Sequence, residues 1–188
     1  ALRASHDDAH EEVYVYLGGL WAAQPQRYKD NIHLETPYLP EGHVDALPSR
    51  CVRLTKDGLN YAEAPRPIVV VDENGAPLKA DDPHRFFEAS WTFKKDGKYY
   101  FSYSTGVSHL LCYAVGDNPY GPFTYQGEIL TPVVGWTTHH AIIEFQGKWY
   151  LFHHDSVPSG GKSWLRSLKV CEIEWDENGK IKTIEGID

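Results

Sequence analysis

Two ionisable side chains stand at matching places in two similar stretches. Glu88 lies nine positions before Gly97 in "FFEASWTFKKDGKYYFSYSTG" (86–106), and His139 lies eight before Gly147 in "VGWTTHHAIIEFQGKWYLFHHDS" (134–156). Neither hairpin needs a titratable residue there. A carboxyl between Phe87 and Ala89, close to Trp91, is partly desolvated, which raises its pKa and suits it to give up a proton near neutral pH. The bland alternative is an exposed edge glutamate. By strand alternation His140 points opposite to His139 and therefore into packing. His153 and His154 alternate in the same way, so at most one of them faces the side on which His139 lies. Asp155 in "HHDS" reads as a strand-end or turn residue.

The elements that position these groups are strands. "EVYVYLGGL", "RCVRLT", "RPIVVVDENG", "GKYYFSYSTG", "HLLCYAVG", "GPFTYQGEIL" and "WLRSLKVCEIEWDENG" are short, β-branched and aromatic, broken by Gly, Pro, Asn or Asp. Helical periodicity is absent. "DENG" recurs at 72–75 and 176–179 and predicts two tight turns, with Asn-Gly tolerating positive φ. Residues 24–49, with four Pro, read as a long loop.

The two hairpins align at an offset of fifty, Gly97-Lys98-Tyr99-Tyr100 on Gly147-Lys148-Trp149-Tyr150. "EEVYVYLGG" is a weaker third copy. A repeated all-strand unit of this length is the pattern of a propeller blade, with approximate blades at 1–80, 81–132 and 133–188. The expected fold is all-β, a partial β-propeller of about three blades. Propellers close with about four to eight blades, so open sheet edges are expected, together with either an oligomer or complementing blades. The innermost strands of successive blades converge on one channel, where Glu88 and His139 both begin a strand.

Composition bounds the rest. The chain has 188 residues, 41% apolar and 13% aromatic, ample for a packed core and unlike a disordered segment. A net charge of -8 without a basic cluster argues against a nucleic-acid partner. No apolar run spans a bilayer, and "ALRASHDDAHEE" is no signal peptide, which leaves the compartment open. Cys51, Cys112 and Cys171 are widely spaced with no CxxC pair, so buried thiols are expected.

"FFEASW", "GKYYFSYSTG", "DNPYGPF", "GWTTHHAI" and "GKWYLFHHDS", with "GGLW" (18–21) and "PVVGWTTHH" (132–140), resemble family 43 glycoside hydrolases from about Val13 to Ile181. They resemble its β-xylosidase and α-L-arabinofuranosidase branch. The resemblance implies a five-bladed propeller and inverting hydrolysis of xylose or arabinose linkages of hemicellulose. It implies that Glu88 is the general acid, that His139 faces a central-channel ion, often calcium, held through water, and that Arg166 in "WLRSLKV" binds the sugar. Trp21, Trp91 and Trp136 are candidates for stacking on sugar or for packing between blades, with Trp136 the one at the pocket rim. Trp149, Tyr99, Tyr100 and Tyr150 fit packing better.

The chain departs from the family at one point. Counting back from the first hairpin to the place of the acid-tuning aspartate reaches Leu2 and Arg3, and the base aspartate is expected before residue 1. Inversion needs carboxyls on both faces of the sugar. The general base is thus expected from a missing blade, or from a weak substitute among Asp7, Asp8, Asp155 and Glu35. A non-catalytic sugar-binding or assembly module is the alternative.

Overall fold

The computed structural model describes residues 2–7, 12–17, 45–46, 48–106, 108–135 and 138–186. Among them the strands form three sheets. The first runs β1 (Leu2–Asp7), β2 (Glu12–Leu17), β3 (Ser49–Arg53) and β4 (Arg66–Ile68) in chain order. The second orders β5 (Val70–Val71), β9 (Phe123–Leu130), β8 (Leu111–Gly116), β7 (Lys98–Ser104) and β6 (Glu88–Lys95), with only the β5–β9 pair parallel. The third is β10 (Ala141–Phe145), β11 (Lys148–Asp155) and β12 (Ser167–Ile173). One 3-10 turn, Val157–Ser159, is the helical element among the described residues. The fold is all-β and propeller-like, as the strand patterning predicts.

The aromatic runs are explained by burial on both faces. Along β7, Tyr99, Phe101 and Tyr103 pack into a core shared with Tyr14 of β2 and Cys51 of β3. The intervening Tyr100 turns to a second core with Ile142, Leu151 and Ile173 of the third sheet. Side chains alternate across a strand, so a strand sandwiched between two sheets reads as nearly continuous apolar sequence. Tyr99 and Tyr100 are thus packing residues. Trp149 also packs, 4.8 Å from the Phe93 ring. Tyr150 lies instead on the outer face of the third sheet, in register with Ile143 and Glu172.

Both aligned hairpins use the same turn. Asp96 and Gly97 have φ of 49° and 77°, and Gln146 and Gly147 have φ of 53° and 77°. Two consecutive positive φ values make the primed turn whose twist suits adjoining strands, which is why a glycine closes each loop. The "DENG" turns differ from expectation in one respect. Only Gly75 and Gly179 take positive φ, and the aspartate organises each turn. Asp72 accepts from the N–H groups of Asn74 and Ala76, and Asp176 from those of Asn178 and Lys180. Cys51 and Cys112 are buried, whereas Cys171 is only half-buried, with Sγ 3.6 Å from His153 Nε2. The expectation of a buried thiol fails at Cys171 because β12 is an edge strand.

Candidate active site

Glu88 is the first residue of β6, a strand that contacts both β1 and β10. It pairs with Ser104 of β7, and the register then shifts before Trp91. Ala89, inside that irregularity, has φ of 59° and is buried. A bulge with a left-handed alanine is uncommon and re-aims the neighbouring side chains. Glu88 is half-buried, and desolvation raises its pKa above the ordinary carboxylate value, with the Arg166 guanidinium opposing. A carboxyl in that state can hold a proton where most carboxyls have lost theirs.

Hydrogen bonds then link Glu88's neighbourhood to the third sheet. The Ser104 hydroxyl donates to the carbonyl of Thr138. The next residue, His139, is half-buried, while His140 is buried and its Nε2 lies 2.7 Å from Ser102 Oγ. His139 and His140 thus occupy different environments, although both precede β10, which begins at Ala141, so the strand start expected at His139 falls two residues later. Thr138 Oγ1 donates to the His154 carbonyl at 3.0 Å and accepts from the His154 N–H at 3.3 Å.

His154 gathers the remaining groups. Its Nε2 accepts from the His139 N–H at 3.1 Å and from Arg166 Nη1 at 3.2 Å. Burial, Arg166 and the adjacent histidines depress its pKa to about 4, so near neutral pH it is an uncharged acceptor. His153 points the other way and is buried beside Cys171. Arg166 also donates through Nε to the Ser163 carbonyl at 2.8 Å.

Asp155 is buried and accepts from Ser167 Oγ at 2.8 Å and from the Val157 N–H, with Lys169 Nζ 3.2 Å away. It ties the end of β11 to the start of β12. Trp91 donates from Nε1 to the Ile142 carbonyl at 2.9 Å and packs against the second core. Of its two readings, packing is the one these contacts favour. Trp21, Trp136, Asp8 and Glu35 lie outside the described residues. Asp7 ends β1 at the hairpin, opposite Glu12, while Leu2 and Arg3 begin that strand. A cleft of about 350 Å³ lined by Lys98, Gln126 and Lys180 sits at the other end of the β6–β7 ladder from Glu88.

Calcium takes six to eight oxygen ligands. Among the described residues no three His, Cys, Asp or Glu side chains gather as a metal site. Beside His139 stand the His154 imidazole and the Arg166 guanidinium, which offer no oxygen to a hard cation, so water would have to supply the ligands. These residues alone do not form a calcium site.

Sequence missed His154 as part of this constellation. Alternation had left one of the pair, His153 or His154, on this side. Only the pairing of His154 with Leu168 and the closeness of Arg166 identify which.

The chain is 66% identical over 183 residues to a xylosidase/arabinosidase of Bacteroides ovatus, covering 97% of this chain and 56% of that protein. It is 67% identical over 178 residues to a beta-xylosidase of Xylanibacter ruminicola, covering 95% and 56%. Among solved structures, that of the RS223 beta-xylosidase superposes with a TM-score of 0.87 at 58% identity, covering all of this chain and 58% of that one. A Xanthomonas citri enzyme complexed with xylotriose superposes at 0.86 with 49% identity, covering 98% and 56%. A β-xylosidase/α-arabinofuranosidase from a compost metagenome, in a calcium-free form with xylotriose, gives 0.86 at 46% identity, covering 98% and 57%. The chain therefore spans little more than half the length of these relatives. The model of glycosyl hydrolases family 43 matches residues 48–181, and with this identity and fold the chain belongs to that family.

Proposed function

We propose that this chain supplies the acid side of an inverting glycoside hydrolase site for xylose and arabinose linkages of hemicellulose. One observation carries the reading. Glu88, half-buried with a raised pKa, opens a strand in contact with two neighbouring sheets, and the cationic Arg166 is close enough to act on its charge. Glu88 would protonate the leaving-group oxygen, and the open donors of the Arg166 guanidinium would orient sugar hydroxyls. Xylo-oligosaccharides are the preferred ligands, because similar proteins were solved with xylotriose and xylose. We take the three sheets as successive blades dividing near residues 80 and 132, with β5 (Val70–Val71) reaching back from the first segment to pair with β9 of the second. Trp136 is proposed for the pocket rim.

An acid acts alone only poorly in this chemistry. The base must lie about 6 to 10 Å across the sugar, and β1 opens with Leu2 and Arg3 rather than an acid. The relatives are longer by nearly half their length, so the base and the tuning aspartate are assigned to sequence beyond these residues. The test is turnover of aryl β-xyloside and aryl α-arabinofuranoside. Glu88→Gln should slow it by about 10²- to 10⁴-fold, the usual worth of a general acid. Equal rates for the two proteins would remove Glu88 from the reaction.

The β1 observation also favours a second reading, a sugar-binding or assembly module without turnover. Xylose binding combined with no turnover by any form containing the complete family sequence would select it. A calcium ion near His139 would be held chiefly through water and supply charge balance. A calcium-dependent rise in melting temperature, abolished in His139→Ala, is the measurement for it.

Self-association is the expected state of the 188-residue chain. The outer face of the third sheet exposes Phe145 (59%), Leu168 (71%) and Val170 (51%), and an apolar sheet face of this kind calls for a cover. A stable monomer at micromolar concentration in light scattering would contradict it.

A further inference from the structure

Five residues form one continuous path from the candidate acid to the candidate sugar-binding arginine. Glu88 pairs with Ser104, Ser104 donates to the Thr138 carbonyl, Thr138 exchanges two hydrogen bonds with the His154 backbone, and the His154 ring accepts from Arg166. The arginine end of this path is the informative one. A guanidinium has five N–H donors and no acceptor, so in its 3.2 Å contact His154 Nε2 must be the acceptor. The ring proton therefore sits on Nδ1. The same Nε2 accepts the His139 N–H at 3.1 Å, so a single atom holds both the segment that follows Trp136 and the arginine.

Arg166 is also anchored to the Ser163 carbonyl, three residues away in its own loop. That bond shapes the loop but moves with it. His154 lies on β11, in the body of the third sheet, and is the contact that ties the guanidinium to the framework. Two committed N–H groups leave three for a ligand, and the charge of the same guanidinium acts on Glu88.

We propose that His154 is a positioning residue: its Nε2 locks the Arg166 guanidinium against the His139 backbone and thereby aims the remaining arginine donors at a sugar hydroxyl beside Glu88. This rests on the reading of Arg166 as a sugar ligand, and the two can fail separately. His154 itself touches no reacting atom. Leucine at 154 would keep the volume and lose the acceptor, whereas the glutamine amide oxygen can accept from both donors.

The test uses the whole 188-residue chain, labelled with ¹⁵N at histidine and arginine, and xylose as the probe. In the unsubstituted protein the His154 proton should be on Nδ1, and the Arg166 Nη protons should exchange slowly. His154→Leu should abolish that slow exchange and weaken xylose binding about ten-fold or more, with the melting temperature little changed. His154→Gln should restore both. A proton on Nε2 in the unsubstituted protein would overturn the proposal, even if the leucine variant failed to fold. So would a folded leucine variant with unaltered Arg166 exchange. If the unsubstituted protein binds no xylose, the sugar-site reading fails, and the exchange data still decide what His154 does to Arg166.

Discussion

Glu88 and Ser104 sit opposite one another on β6 and β7, and the Ser104 hydroxyl reaches across to the Thr138 carbonyl in the segment that leads into β10 of the neighbouring sheet. The candidate acid is therefore positioned by a cross-strand pair that is itself pinned to the next sheet. Ser104 is buried, and a buried hydroxyl needs a partner, which the Thr138 carbonyl provides. The consequence is rigidity at the head of β6, where a proton donor must be held.

The raised pKa of Glu88 has a stability signature. A buried carboxyl that keeps its proton in the folded state binds more protons than the unfolded chain between its ordinary value near 4.5 and its raised folded value. Across that window stability falls as pH rises. Glu88→Gln, which carries no charge, should melt higher than the unsubstituted protein at pH 7, and the difference should close below pH 4.5. Calorimetry across pH measures it, and a glutamine variant less stable at neutral pH would contradict burial as the cause. Any turnover should fall on the alkaline side as the same group loses its proton.

Ala89 offers a test of the bulge. At φ of 59° an alanine pays a left-handed cost that glycine does not. Ala89→Gly should therefore be neutral or stabilising by about 1 kcal/mol, despite the general cost of glycine in strands. Ala89→Val should destabilise by about 1–3 kcal/mol, because a branched side chain fits that conformation badly. Denaturant midpoints at constant slope decide it.

Trp91 bonds from its indole N–H to the Ile142 carbonyl, across 51 residues of sequence. Trp91→Phe should cost about 0.5–1.5 kcal/mol of stability for the lost hydrogen bond, plus the smaller ring's lost packing. Sugar affinity should not move. A loss of xylose binding at unchanged stability would return Trp91 to the ligand site.

Asp155 makes the opposite pH prediction to Glu88. Burial works to raise its pKa, yet Ser167, Lys169 and the Val157 N–H together hold it below its ordinary value near 3.8. A depressed carboxylate stabilises the fold above the unfolded pKa, and that contribution is lost as pH falls through the folded one. Asp155→Asn should cost about 2–3 kcal/mol at pH 6 and progressively less below pH 3.8. Unfolding curves at the two pH values read the difference directly.

The amino-acid order alone determined what is local. The two-residue periodicity and aromatic runs specify strands, paired Gly-Lys hairpins specify their turns, and Glu88 is visible as a strand-head residue because it can be counted from its glycine, whereas His139, counted the same way, falls two residues before β10. The family is legible in the same short motifs. What only the tertiary structure decided depends on pairs distant along the chain. Trp91 belongs to packing because Ile142 offers its carbonyl, and His154 rather than His153 joins Arg166 because of the β11–β12 register. The bulge at Ala89 and the half-exposure of Cys171 on an edge strand are of this kind too. Strand propensity is a property of neighbours in sequence. Which face of a strand meets which sheet is set by how the sheets stack, and no count along the chain contains that stacking.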